Sequence, residues 1–211
     1  MPVRGIDRGL GNHAVRADQP QAECGNGQTR QAHLGIADGY ADSVEGGLNL
    51  LNRIPVQKGF QWVEASTEIM LNLQKDYGII EGWHGDGNYA RTAIMYALWK
   101  TQGLSAEPWR GDLVFGAVPG KNGSLNIYMR ADWPWKGKLK FDIPRHRENL
   151  HLPYDYPRLS QFPEWFTVDK GKEYQLSVDG QEIALKGNQL LQGAEIGLKK
   201  DTAVKILVTV K

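Results

Sequence analysis

Residues 88–102 carry a nearly unbroken apolar run, Ala93-Ile94-Met95-Tyr96-Ala97-Leu98-Trp99, between Tyr89 and Gly103. A helix built on this stretch is apolar on most of its faces, and such a helix is stable only when neighbours cover it on several sides. Two amphipathic stretches upstream can supply part of that cover. Over residues 38–52, Tyr40, Ala41, Val44, Leu48 and Leu51 recur at helical spacing, with Asp38 placed to cap and Pro55 to stop. Over residues 58–77, Trp62, Val63, Ile69, Met70, Leu73 and Tyr77 form one stripe opposite Glu64, Glu68, Asn72 and Lys75, and Gly78 closes the pattern. Three helices alone cannot bury the third, so its remaining surface is expected to be hidden by more protein or by self-association into a homo-oligomer.

After Pro108 the periodicity changes to short β-type segments: 113–118, 125–130, 137–141, 165–168, 174–178, 182–185 and 202–210. Leu125, Ile127, Met129 and then Val204, Ile206, Val208, Val210 alternate strictly, as half-buried antiparallel strands do. Turn signals stand at Pro119-Gly120, Lys121-Asn122-Gly123 and Val178-Asp179-Gly180-Gln181. The expected architecture is α+β, with N-terminal helical hairpins over 36–106 followed by an antiparallel β-sandwich over 107–211. The span from Pro144 to Pro163 is long for a simple connection and is expected to lean back on the helices. Residues 1–35, rich in Gly, Gln and Arg and lacking aromatics, show no period and are expected to form a disordered leader.

Composition removes several classes. Lys plus Arg number 25 against 24 Asp plus Glu, so no field favours nucleic acid or an anionic membrane. Cys24 is the only cysteine, which leaves no internal disulfide and no thiol pair for zinc. His146 and His151 flank Arg147 without a convincing third ligand, so no metal or other cofactor is assigned. No apolar run reaches the length of a membrane span, and no export signal is evident at Met1. A P-loop, a dinucleotide fingerprint and a Gly-x-Ser-x-Gly elbow are all missing.

The densest chemistry lies at the entry to the third helix, in Glu81-Gly82-Trp83-His84-Gly85-Asp86-Gly87-Asn88-Tyr89-Ala90-Arg91-Thr92. The glycines permit tight turns where Trp83, His84 and Asp86 must be presented. Capping by Asp86 or Asn88 would account for one of these groups and leave the others unexplained. Short links between consecutive helices place the starts of the first and third helices at one end, so that Asp38, Asp42 and Glu45, spaced by four and three, face His84 and Asp86. Two helix dipoles at that end would favour carboxylates or an anionic ligand, although acids in first turns are often only dipole partners.

The segments 38–46, 83–92 and Gln161-Phe162-Pro163-Glu164-Trp165-Phe166 resemble parts near the end of larger bacterial proteins with an (α/α)-toroid plus β-sandwich architecture, the heparinase-type polysaccharide lyases and related glycoside hydrolases. The resemblance covers residues 36–211 and includes three helices of a toroid that needs about ten to twelve. It implies a carbohydrate-active enzyme with a carbohydrate substrate. As a hydrolase, two carboxylates from Asp38, Asp42, Glu45 and Asp86 would act as acid and base or nucleophile, with Trp83, Tyr40 and Asn88 contacting sugar. As a lyase, Tyr89 or His84 would take the proton beside a uronate carboxylate neutralised by Arg91. Hydrolysis is favoured slightly. A third reading is a non-catalytic carbohydrate-binding fragment using Trp133-Pro134-Trp135 beside Lys136 and Lys138, for which core packing of the tryptophans is the plainer explanation.

Overall fold

A computed structural model describes residues 28–76, 80, 87–156, 159 and 162–211, with side chains from residue 39 onward. Helices come first and antiparallel sheets follow, as the change in periodicity requires. Helix α1 spans Gln28–Arg53, α2 Gln57–Asn72 and α3 Asn88–Thr101. None of the helices among the described residues is long and apolar enough to cross a membrane.

Helix α1 packs against both of the others, which also touch each other through Phe60 and Trp99. Gly47 and Gly59 allow close approach, since a Cβ at Gly47 would sit 2.7 Å from the Trp62 ring and one at Gly59 2.6 Å from Leu51. Val44, Leu48 and Leu51 of α1 meet Val63 of α2 and Met95 of α3 in a small core. Helix α3 ends through Gln102 in the left-handed region, whose neighbour Gly103 donates to the Leu98 carbonyl at 2.8 Å. That closure satisfies last-turn carbonyls of the helix.

Several helix expectations need correction. Helix α1 begins at Gln28, inside the stretch expected to lack order, so Asp38 lies within the helix and does not cap it. The Thr92 hydroxyl donates to the Ala41 carbonyl, which sets the start of α3 beside the middle of α1. The start of α1 is therefore roughly 20 Å away at 1.5 Å per residue, and the two N-termini do not share an end. Helix α2 stops at Asn72, and Leu73 to Asp76 are all exposed, so no burial rewards further turns. Helix α3 fully buries one stripe, Tyr89, Thr92 and Met95, and is met by α1, by Phe60 of α2, by β2 and by Trp165, whereas Ile94 is left 48% exposed.

Among the described residues, eight strands form two antiparallel sheets. In the smaller, β4 (Trp135–Lys140) lies between β1 (Ser105–Glu107) and β7 (Ala194–Leu198). The larger has the order β2 (Leu113–Pro119), β3 (Leu125–Ala131), β8 (Val204–Val210), β5 (Glu173–Val178), β6 (Gln181–Lys186). Both keep open edges and neither closes into a barrel. Inward residues of the two share one core: Ile127 pairs with Ile206 and Met129 with Val204, and Trp135, Leu139, Ile196 and Leu198 meet them from the smaller sheet. Asp179 and Gly180, both at positive φ, make the β5–β6 turn that the Asp-Gly signal predicts. The expected strand at 165–168 is reduced to one bridge, Thr167 with Asp142. A short helix α4 (Arg145–Glu148) interrupts the long connection, and α5 (Gly187–Gln192) joins β6 to β7.

Candidate functional site

The helical rim brings together some of the residues that the sequence singles out. Arg91 forms an ion pair with Glu45. Tyr89 is 4% exposed and packs with Ala41 and Met70, with Tyr40 partly buried against the same cluster. Asp42 projects to solvent, while the side chain of Asp38 and all of Trp83, His84 and Asp86 lie outside the described residues. Gly87 occupies the N-cap position of α3 with no side-chain cap bond, so Asn88, the first helical residue, does not cap it. A buried Tyr89 is poorly placed to take a proton from a ligand in solvent. The guanidinium of Arg91 already has a carboxylate partner.

A second concave region, which sequence reasoning did not single out, lies where the helices meet the sheets. A cleft of about 540 Å³ is lined by Phe60, Gln61 and Glu64 of α2, Trp99 of α3, Gln102 and Trp165. Trp99 stacks on Phe60 with centroids 5.0 Å apart and 12° between planes, meets Tyr96 edge-on at 5.6 Å and lies 6.5 Å from Trp165. A shallower extension of about 310 Å³ continues past Lys100, Gly116 and Val118 to Tyr128 on the outer face of β3. At Gly116 the end of α3 comes so close that an added Cβ would stand 3.4 Å from the Lys100 carbonyl. On the other side, a groove of about 670 Å³ between α2 and α3 includes Gln61, Glu64, Glu68 and Tyr96.

Glu64 is the polar centre of this region. It accepts hydrogen bonds from the Tyr96 hydroxyl at 2.5 Å and the Lys100 ammonium at 2.6 Å, and Lys100 lies 5.2 Å from the Trp99 ring centroid. Desolvation raises the Glu64 pKa, but the bonds from Lys100 and Tyr96 outweigh it and hold the carboxyl below its ordinary 4.5. Burial, with the Glu64 carboxylate beside it, pushes the Tyr96 phenol well above its ordinary 10.0. At neutral pH the site therefore presents an ionised carboxylate held by a neutral phenol and an ammonium, a stable set of acceptors and donors and a poor proton-abstracting pair.

The junction beneath the cleft is fastened by the long connection. Glu164 is buried; its carboxylate accepts from the His146 backbone N–H at 2.7 Å and contacts His146 Nδ1 at 2.8 Å. Its carbonyl accepts from Asn52 of α1 at 2.6 Å and its N–H donates to Asp155 at 2.9 Å. Phe162 and Trp165 pack on the helical core. Asp142, next to Arg145, has its pKa raised by burial, which outweighs the opposing attraction of that guanidinium. Among the described residues no group of three His, Cys, Asp or Glu side chains is placed to hold a metal ion.

The missed cleft residues had visible signals, but in separate places: Glu64 on the polar face of α2, Trp99 within the apolar run and Trp165 after Pro163. No protein-family model, curated protein or solved structure matches the chain.

Proposed function

We propose that the chain is a carbohydrate-active protein that binds a polysaccharide along the junction cleft, as the terminal part of an (α/α)-toroid plus β-sandwich enzyme that cleaves glycosidic bonds. The observation that carries the reading is the aromatic wall formed by Trp99, its stacking partner Phe60, and Trp165, fringed by Glu64, Gln61 and Gln102. A pyranose has a flat face of C–H groups and a rim of hydroxyls, and it is suited by an aromatic surface edged with a few fixed polar groups. The ionised Glu64 can accept two hydroxyl hydrogens while Tyr96 and Lys100 fix its orientation. The toroid assignment is supported by apolar side chains left on the outer faces of the helices, Trp62, Ile69, Leu71 and Ile94, which further helices or a second copy would cover.

Hydrolysis remains preferred to elimination. Of the groups assigned to elimination, Tyr89 is buried and Arg91 pairs with Glu45, while His84 lies outside the described residues. Hydrolysis needs two carboxylates flanking the bond, roughly 5 to 10 Å apart. Asp38, Asp42 and Glu45 share one helical element, so at most one of them acts opposite a carboxylate from another segment, and Asp86 is the candidate from the sequence. Calorimetric titration of the full chain with neutral hexasaccharides (cello-, xylo-, manno- and chito-) and with oligogalacturonate tests the reading. Trp99→Ala is expected to weaken the hexasaccharide that binds by at least about tenfold, the scale of losing one aromatic contact. Unchanged affinity in Trp99→Ala, or no binding by the parent chain, would overturn it.

A further inference from the structure

Away from the cleft, two tryptophans are held out into solvent by a rigid frame. Trp109 is 70% exposed and Trp133 62% exposed, whereas Trp135, two residues on, is buried and donates its indole N–H to the Pro108 carbonyl at 2.9 Å. Arg110 binds Asp112 through two bonds of 2.7 Å and also donates to the carbonyls of Trp133 and Pro134, at 2.9 and 3.0 Å. Asp112 in turn accepts from the Trp133 backbone N–H at 3.1 Å. One arginine thus ties the segment before β2 to the segment before β4 and fixes the backbone at both tryptophans. The Lys200 ammonium lies 4.4 Å from the Trp133 ring centroid, so a ligand has the opposite face of that ring to use. The surrounding charges balance: Arg130 lies 3.3 Å from Asp201 and 3.6 Å from Asp132, and Lys200 is the second cation beside these two carboxylates.

We propose that Trp109 and Trp133 form a second saccharide-binding platform, for an uncharged polysaccharide, separate from the junction cleft. Size decides against a protein partner. Two exposed indoles offer roughly 300 to 400 Å², well short of the 800 Å² or so per partner of a stable protein interface, but enough for the faces of sugar rings. The frame agrees with this, because the tied backbone and the Lys200 ammonium against the Trp133 ring leave less freedom to lose when a sugar ring stacks there. The matched charges give no preference for a uronate or sulfated chain. The platform adjoins the Leu113 end of β2, whereas the cleft touches Val118 and Pro119 at the other end. At about 3.4 Å per residue the two are roughly 20 Å apart, so one polymer could engage both while a short oligosaccharide occupies one. The proposal shares only its ligand class with the cleft reading.

Native electrophoresis of the full chain through gels containing hydroxyethylcellulose, xylan, mannan or polygalacturonate tests it. A neutral polymer should retard the parent chain, and the double variant Trp109→Ala/Trp133→Ala should weaken that retardation at least tenfold while hexasaccharide titration in the cleft is unchanged. Because both side chains are exposed, thermal unfolding of the double variant should match the parent. If polymer retardation depends on Trp109 and Trp133 but no hexasaccharide binds, the platform stands and the cleft reading fails. Retardation equal in parent and double variant, retardation only by polygalacturonate, or none at all overturns the platform. So does sedimentation showing that the double substitution merely converts a self-associated species to monomer.

Discussion

Trp165→Ala should loosen the helices from the sheets without unfolding the sheets. Trp165 comes from the sheet part of the chain but packs with Phe162 on the core formed by Val44, Leu48, Leu51, Val63 and Met95. Truncating a fully buried tryptophan costs about 3 to 5 kcal/mol, and partial burial brings this to roughly 3. A gain opposes the loss: the Trp165 indole N–H is buried with no hydrogen-bond partner among the described residues. Relieving such a group returns about 1 kcal/mol or more. The net loss is about 2 kcal/mol, or roughly 4 to 8 °C in the melting temperature of a domain of this size. Trp165→Phe keeps most of the ring and removes the N–H, so the two effects nearly cancel and stability should stay within about 1 kcal/mol of the parent.

Hydrogen exchange read by mass spectrometry separates local from global effects. A 2 kcal/mol loss confined to the helices accelerates exchange of α1 to α3 amides about 30-fold, while β3 and β8, whose core does not include Trp165, keep the parent rates. Equal acceleration in β3 and β8 would show one indivisible unit. No acceleration in the helices would show that Asn52, Glu164 and the Phe166 amide bonded to the Gln102 carbonyl hold the junction without the indole. Either result refutes the assignment of Trp165 as the main apolar tie.

Two further outcomes are expected. Saccharide affinity should be flat from about pH 5 to about pH 9, because Glu64 is ionised and Tyr96 neutral throughout, and should fall as pH drops through the depressed Glu64 pKa, below its ordinary 4.5; Glu64→Gln should remove that acid limb, and a midpoint above pH 5 in the titrations would refute the role of Glu64. At the rim, Arg91→Ala should cost less than about 1 kcal/mol, since its pair with Glu45 is partly exposed, whereas His84→Ala and Asp86→Asn should abolish glycan cleavage with stability changed by only about 1 kcal/mol; full turnover in the latter two would remove the rim from catalysis.

Much of the sheet region was legible because alternation and turn chemistry are local. Leu125, Ile127 and Met129 face inward as their period of two requires, and Asp179-Gly180 makes the expected turn. The missed elements carried little local signal. Strand β1 is three residues immediately before Pro108, and β7 alternates through Gly197, which has no side chain to mark a face. The start of α1 was hidden by composition: Gln28 to Leu34 lack the apolar stripe that marks the helix further on. Conversely, Trp165 to Val168 has β propensity but makes only one bridge: Trp165 turns to the helices while Phe166 packs on the sheet core beside Phe141.

The site was harder to read for a different reason. Residues 81–92 attract attention because their polar groups are consecutive, but a binding surface depends on convergence in space. Glu64 and Tyr96 are 32 positions apart and Glu64 and Lys100 are 36 apart, joined only when α2 and α3 lie side by side with Trp99 against Phe60. The apolar run of α3 supplied the clue in an indirect form. It implied a need for cover, and the structure meets part of that need with Phe162 and Trp165 from the sheet part. The same meeting leaves Trp99 lining the cleft beside Glu64, so the packing that stabilises the third helix also creates the cleft. Ile94 keeps the rest of that need unmet within the described residues, and Trp62 of α2 is likewise half-exposed, which is why a larger ring of helices, or a second copy, belongs to the functional proposal.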